Sequence, residues 1–443
     1  MEKMELQKIA SVIGAAFPEN GAVVIEQVAV SPEKVTPGCL YFELQPDTAR
    51  QALSMGAAAA VGVEPGAGCL VVSDPMEALD RLAAWHRRLF HTWILGVTGS
   101  IGKTTVKEMA HAVLTADGPT VKTCWDIDRE AGLPLTLLDL TWEDKNAVLE
   151  VAFTRPGSIG KMSRIMRPSA ALITCVGTGH LTQCGSREAL LQEKLAITEG
   201  MNSSAPLILN GDDDMLQRAY EILSQELISY GVNNPAVDFR GKVLFEKLKG
   251  TELEISYYGK KQRLYVPAWG QAGVYNALAV FTAGIVAGIE PETAARRIAD
   301  FRPAPHRQNI LQFGEITVLD DSCSASPESV REALRLLGQL PAKRRIAVLG
   351  EMPDLGDTAE NAHRAIGRRA AQCGADLLCC VGEHAEFTAE EASRMGGIRA
   401  LTFEDTASLA TYLQNDKRAG DTVLVKGDAA QRMGDIIGMV WDR

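Results

Sequence analysis

The sequence predicts an α/β protein of three domains. A doubly wound, mostly parallel sheet lies at the centre, a Rossmann-like sheet follows it, and a small α/β domain precedes it. Three observations carry this prediction. Short apolar strands alternate with helical patterns along most of the chain. Near residue 100 an apolar strand runs through a glycine-rich turn directly into a helix. After the two prolines of segment 302–305 a second series of strand–helix cycles begins.

The first domain is placed at residues 1–90, with strand-like pieces at 22–30, 40–44, 59–63 and 70–72 and a helix at 75–89. The second, at 91–302, opens with the strand 93–97 and a helix at 106–115. Further strands are expected at 147–153, 170–176 and 207–209, with helices at 160–166 and 186–199 between them. Segment 238–267 alternates polar and apolar residues, which predicts an antiparallel extension of the same sheet. A helix at 273–288 follows it. The third domain, 303–443, should hold strands at 316–319, 345–349, 377–381 and 422–425 and helices at 327–337 and 359–372.

The 443 residues, 46% hydrophobic and 23% charged, are enough for several cores. The net charge of -11 argues against nucleic acid or an anionic membrane as partner. The 9 cysteines include no CxxC pair, so free thiols in a reducing cytosol are expected and no zinc site follows from them. The apolar run 277–289 is too short to span a bilayer, and the N-terminus lacks the basic head and apolar stretch of a signal peptide. A cytoplasmic monomer without membrane insertion is expected.

The strongest local motif is GSIGKTT at 99–105. Gly99 and Gly102 let the backbone curl until several N–H groups face one phosphate, and the helix that follows adds its positive end. Lys103 would reach the β- and γ-phosphates of a nucleotide, and the Thr104 hydroxyl would ligate Mg²⁺. Gly99, Ser100, Gly102, Lys103, Thr104 and Thr105 are therefore the expected nucleotide contacts. The spacing departs from GxxxxGK[ST], because Val97 stands where the first glycine belongs. No NKxD motif accompanies the loop, which disfavours a GTPase.

ILGVTGSIGKTTVKEM resembles the nucleotide loop of the Mur ligase family. The similarity continues in order through VLEVAFTRPGSIGKM, LILNGDDD, VYNALAV, LDDSCSASPESVREAL, AVLGEMPDLGDTAENAHRAIG and VLVKGDAAQRM. The branch most similar adds D-alanyl-D-alanine to a UDP-muramoyl-tripeptide. The resemblance implies an ADP-forming ligase that makes an amide through an acyl-phosphate, with ATP and two Mg²⁺ ions. It implies that Glu150 and His180 bind metal and that Lys194 is carbamylated, exchanging a cation for an anionic metal-side group. It assigns Asn276 to adenine, Arg307 to phosphate and Asp321 to ribose. Lys426 and His363 are weaker acceptor-side candidates. Lys103, Lys194 and His180 form the implied catalytic set.

Departures lie away from the nucleotide. The family's Ser-Arg pair in the first domain is replaced by Ser31-Pro-Glu-Lys34, and its Gly-His segment is missing. The Asn-rich run before GLPLTLL becomes CWDIDREA, bringing in Asp126 and Asp128. Tyr-Asn becomes Cys323-Ser324, and His-Asn becomes Ala272-Gly273. Three readings stay open: a D-alanyl-D-alanine-adding ligase with a rebuilt donor site, an amide ligase for another carboxylate and amine, or a non-catalytic ATP-binding paralogue.

Overall fold

The computed structural model describes residues 1–16, 22–123, 130–178, 181–247, 250–268, 270–353 and 355–441. At the N-terminus, strand Met4–Glu5 pairs antiparallel with Val24–Ile25 around the helix Leu6–Ile13. A four-stranded parallel sheet follows, in the order Val28–Ala29, Leu40–Phe42, Ala59–Gly62, Cys69–Val71. Helix Pro75–Arg87 starts where Asp74 accepts hydrogen bonds from the N–H groups of Met76 and Glu77, with proline in the first turn.

This first unit is fused to the next by a shared core. Leu79 and Leu82 pack in one buried cluster with Leu133, Leu149 and Ile173. Two buried polar side chains bolt the seam. Arg87 donates to the carbonyls of Met166, Phe90 and Thr92. His86 Nδ1 lies 2.9 Å from the Leu137 carbonyl, and its Nε2 accepts from the Glu2 N–H at 3.1 Å. Burial lowers the His86 pKa to about 4, so the ring is neutral.

The central sheet has nine strands, in the order Lys260–Val266, Gly250–Tyr257, Phe239–Lys247, Leu227–Gly231, Leu207–Asn210, Ala170–Ile173, Trp93–Thr98, Asn146–Glu150, Thr120–Lys122. The last seven in this order run parallel, and the first two are added by antiparallel pairing. Strand Gly250–Tyr257 shows why: Leu253, Ile255 and Tyr257 are buried while Glu252 and Ser256 face solvent. Helices Lys103–Leu114, Gln271–Val286 and Pro291–Ala299 cover one face. The chain leaves Trp93–Thr98 toward one sheet edge and later returns to its other side, so the turn after this strand is a topological switch point.

The C-terminal sheet has six strands, in the order Asn309–Phe313, Ile316–Asp321, Asp421–Lys426, Arg344–Leu349, Leu377–Val381, Arg399–Phe403. Only the first is antiparallel to its neighbour. Helix Pro327–Gln339 opens on a capping box between Ser326 and Ser329. The predicted fold class therefore holds. The sequence reading misses strands Thr120–Lys122, Leu227–Gly231, Asn309–Phe313 and Arg399–Phe403, and helices Ala385–Met395 and Thr406–Asp416. Three of those strands are sheet edges with half-buried side chains, so no apolar run marks them. Among the described residues no helix is long and apolar enough to cross a membrane.

Candidate active site

The glycine-rich turn is tied to the neighbouring strand end. The Ser100 N–H donates to the Cys175 carbonyl at 3.0 Å, and Thr174 Oγ1 donates to the Ile101 carbonyl at 2.5 Å. The Gly177 N–H donates to Ser100 Oγ at 2.8 Å. Gly99 has φ +146°, and a Cβ there would lie 1.9 Å from Thr174 Oγ1. Gly102 has φ +81°, and its Cβ would lie 2.6 Å from Asn276 Oδ1. Asn276, far away in sequence, thus lies against the loop. Lys103 Nζ curls over it, donating to the carbonyls of Gly99 at 2.9 Å and Ser100 at 3.3 Å.

Glu150 ends the adjacent strand and is 5% exposed. Its Oε1 accepts from Thr104 Oγ1 at 3.2 Å, while Oε2 is buried with no hydrogen-bond partner among the described residues. Burial raises its pKa, and the charges of Lys103, Lys107 and Arg307 oppose that rise. Lys107 carries a role the sequence reading misses. It is 1% exposed, donates to the Thr123 carbonyl and pairs with Glu108 at 2.9 Å. Its spacing four residues after Lys103, on the same helix face, was the available signal.

Lys194 sits in helix Arg187–Leu195, which Ser186 caps. It is 1% exposed. Burial, aided by the charge of Lys103, lowers its pKa to about 7. His180, together with Asp126 and Asp128, lies outside the described residues. A small cavity opens beside Glu150, walled by Glu130, Leu133, Arg155 and Lys161. Arg155 faces Glu130 at 3.6 Å, and Lys161 pairs with the buried Asp80 at 2.5 Å.

The C-terminal unit reaches this centre. Arg307 is near enough to Glu150 for its charge to act on that carboxyl. The residues on either side of Arg307 are held in the left-handed region, His306 at φ 63° and Gln308 at φ 52°. Such backbone strain in non-glycine residues collects at functional sites. Asp321 Oδ1 accepts from the Gln308 N–H, and its Oδ2 pairs with Lys426 at 2.7 Å. Lys426 is 2% exposed and also donates to the Ser324 carbonyl. Glu328, in the first turn of helix Pro327–Gln339, accepts from the Thr178 N–H at 2.6 Å and from the Thr178 hydroxyl. This contact joins the two units beside the loop, and no sequence motif announced it.

The structure therefore gathers Gly99, Ser100, Gly102, Lys103, Thr104, Glu150, Asn276 and Arg307 about one turn. Thr105 follows in the same helix, and Lys194 is buried within reach of the Lys103 charge. Asp321 and Lys426 form a pair on the facing domain. His363 stands apart, 2% exposed inside the C-terminal unit.

A nucleotide loop at a sheet switch point, met by a second Rossmann-like domain, defines a three-domain nucleotide-dependent enzyme class. Residues 97–284 match the Mur ligase middle domain, and residues 306–429 match the Mur ligase, glutamate ligase domain. The chain is 30% identical over 368 residues to the UDP-N-acetylmuramoyl-tripeptide–D-alanyl-D-alanine ligase of Treponema pallidum, covering 82% of this chain and 78% of that protein. It is 29% identical to the enzyme of the same name from Bacillus subtilis, covering 99% of this chain and 98% of that one. The crystal structure of MurF from Acinetobacter baumannii superposes with a TM-score of 0.91 at 23% identity, covering 100% of both chains. MurF ligase from Thermotoga maritima in complex with ADP gives 0.83 at 24% identity, covering 94% of this chain and 97% of that one. This chain belongs to the Mur ligase family, whose members are ATP-dependent, ADP-forming, amide-forming ligases that use Mg²⁺.

Proposed function

We propose that this chain joins D-alanyl-D-alanine to a UDP-muramoyl-tripeptide in peptidoglycan precursor synthesis, using ATP. The observation that carries this reading is the gathering of Lys103 with the buried Thr104, Glu150 and Lys194 at the sheet switch point, in a chain that matches its named relatives end to end. Three functional units fit it: a donor-side domain at 1–90, an ATP domain at 91–302 and a closing domain at 303–443.

The loop N–H groups and Lys103 hold the phosphates, and Asn276 beside Gly102 meets the adenine edge. Glu150 and Thr104 suit Mg²⁺. A buried carboxylate oxygen without a partner next to a threonine hydroxyl is an oxygen donor set of the kind a hard cation takes. When bound, Mg²⁺ offsets the repulsion between the triphosphate and the donor carboxylate. The charges of Lys103, Lys107 and Arg307 favour the ionised form of Glu150 against the effect of its burial, and His180 is a further candidate metal ligand. Lys194 is poised for carbamylation, since a lysine with a pKa of about 7 presents a neutral amine to CO₂.

The reaction proceeds in two steps. A donor carboxylate oxygen attacks the γ-phosphorus and ADP leaves. The amine of the acceptor then attacks the acyl carbon and phosphate leaves. The protein positions the reactants and neutralises charge, with Arg307 brought over the phosphates by the C-terminal domain. Asp321 faces the ribose, and the acceptor lies toward Lys426. The scheme is written for a monomer. The test is ADP release. It should require both UDP-muramoyl-tripeptide and D-alanyl-D-alanine, and release driven only by another acid and amine would overturn the substrate assignment.

A further inference from the structure

Among the described residues one cluster has the makings of a transition-metal site, and it lies in the C-terminal unit away from the nucleotide loop. Glu351 follows strand Arg344–Leu349, His384 follows strand Leu377–Val381, and His363 projects from helix Ala359–Gln372. These two strands are neighbours, so the three side chains meet at the carboxyl edge of the sheet. Glu351 Oε1 lies 2.8 Å from His384 Nδ1 and 3.0 Å from His363 Nε2. The three ligand atoms fall within 4.8 Å of one another.

The surroundings fix each ligand. His363 Nδ1 lies 3.0 Å from Thr388 Oγ1, which orients the ring and turns Nε2 toward Glu351. The His384 N–H donates to Glu351 Oε2 at 2.9 Å, leaving Oε1 to face both rings. The Glu351 N–H is tied to Gln431 Oε1 at 2.7 Å. Gly382 leaves room for the carboxylate, because a Cβ there would lie 2.7 Å from Oε2.

Both imidazoles make ion-pair contacts with Glu351, but their geometry differs. His363 is 2% exposed, and its Nε2 makes no directed hydrogen bond, despite its short distance to Glu351 Oε1. A buried polar nitrogen left in that state is costly. A cation between the three atoms would use all three lone pairs. A tetrahedral ion with bonds of about 2.0–2.1 Å sets its ligands roughly 3.3–3.4 Å apart, so the two Glu351 contacts would lengthen by roughly half an ångström. A small cavity beside His363 is lined also by Met352 and Cys380.

We propose that Glu351, His363 and His384 bind a zinc-class divalent cation. Two imidazoles and one carboxylate suit zinc, whereas Mg²⁺ and Ca²⁺ prefer all-oxygen shells. The ion clips together the turns after two adjacent strands and one helix, on the sheet edge that also carries Asp321 and Lys426. This role is independent of the ligase reading.

The test uses the full chain, stripped of metal by a chelator and titrated with Zn²⁺ in excess Mg²⁺, which blocks oxygen-rich sites. One zinc should bind per chain. Co²⁺ should report it by visible absorption. Both His384→Ala and Glu351→Gln should weaken binding at least about tenfold, on the scale of losing a metal-supporting group. His384 sits at the partly exposed rim, so its variant keeps the test alive should changes at the buried His363 unfold the domain. No zinc uptake by the wild type, or equal uptake by both variants, overturns the proposal.

Discussion

Replacing Lys194 with alanine tests the chemical reason for its burial. At pH 7.5 an ordinary lysine of pKa about 10.5 leaves roughly one amine in a thousand neutral. With its pKa lowered to about 7 by burial and by Lys103, Lys194 is roughly three-quarters neutral at that pH. The free-base fraction is thus several hundredfold larger, and only the free base attacks CO₂. That attack forms an N–C bond and releases one proton. At fixed dissolved CO₂ the carbamate therefore diminishes as pH falls, by at least about tenfold between pH 8 and pH 6 while the site is unsaturated. The assay is ADP release in buffers depleted of or supplied with CO₂, alongside thermal melts to check the fold. Wild-type turnover should fall on CO₂ depletion, most steeply at low pH. Lys194→Ala should lose turnover while staying folded, and a short added carboxylate should restore part of it. Full turnover of Lys194→Ala without any additive, or wild-type turnover indifferent to CO₂, would refute the reasoning.

Three further outcomes are expected. Lys103→Ala should lose about 3 kcal/mol of transition-state stabilisation, roughly 150-fold in kcat/KM from steady-state ADP release. Gly99→Ala should weaken ATP binding about five- to 150-fold by calorimetry, because its φ of +146° and the 1.9 Å approach to Thr174 force the loop to move at a cost of about 1–3 kcal/mol. His86 should make stability acid-sensitive. Its folded pKa of about 4 lies below the ordinary 6.5, so its contribution is whole above pH 6.5 and is lost as pH falls toward 4. The full difference is about 3 kcal/mol, read as a falling urea midpoint across that window. A flat midpoint there, with Glu2 and Leu137 still holding the ring, would remove His86 as the cause.

Much of the candidate site was legible in the linear chain because its residues are local. The turn 99–105 needs two glycines, a lysine and two threonines in one stretch between a strand and a helix, and all are consecutive in sequence. The central strands were readable because burial on both faces leaves unbroken apolar runs. Edge strands such as Asn309–Phe313 are half-buried and left no such trace. The antiparallel extension was legible from the alternation in segment 251–257.

What the chain order could not reveal are the relations that depend on packing between distant segments. Lys107 looks like a surface cation in sequence, but it becomes a buried partner of Glu108 set behind Glu150. Glu328 meets Thr178 across 150 positions. Glu351, His363 and His384 converge only because their two strands lie side by side. By itself the sequence determined the strand–helix order and the phosphate loop, since backbone conformation there follows from residues a few positions apart. Tertiary structure alone decided which charges lose their water and which face one another. Desolvation and Coulomb interaction depend on distance through space, and that distance exists only once the sheets have stacked.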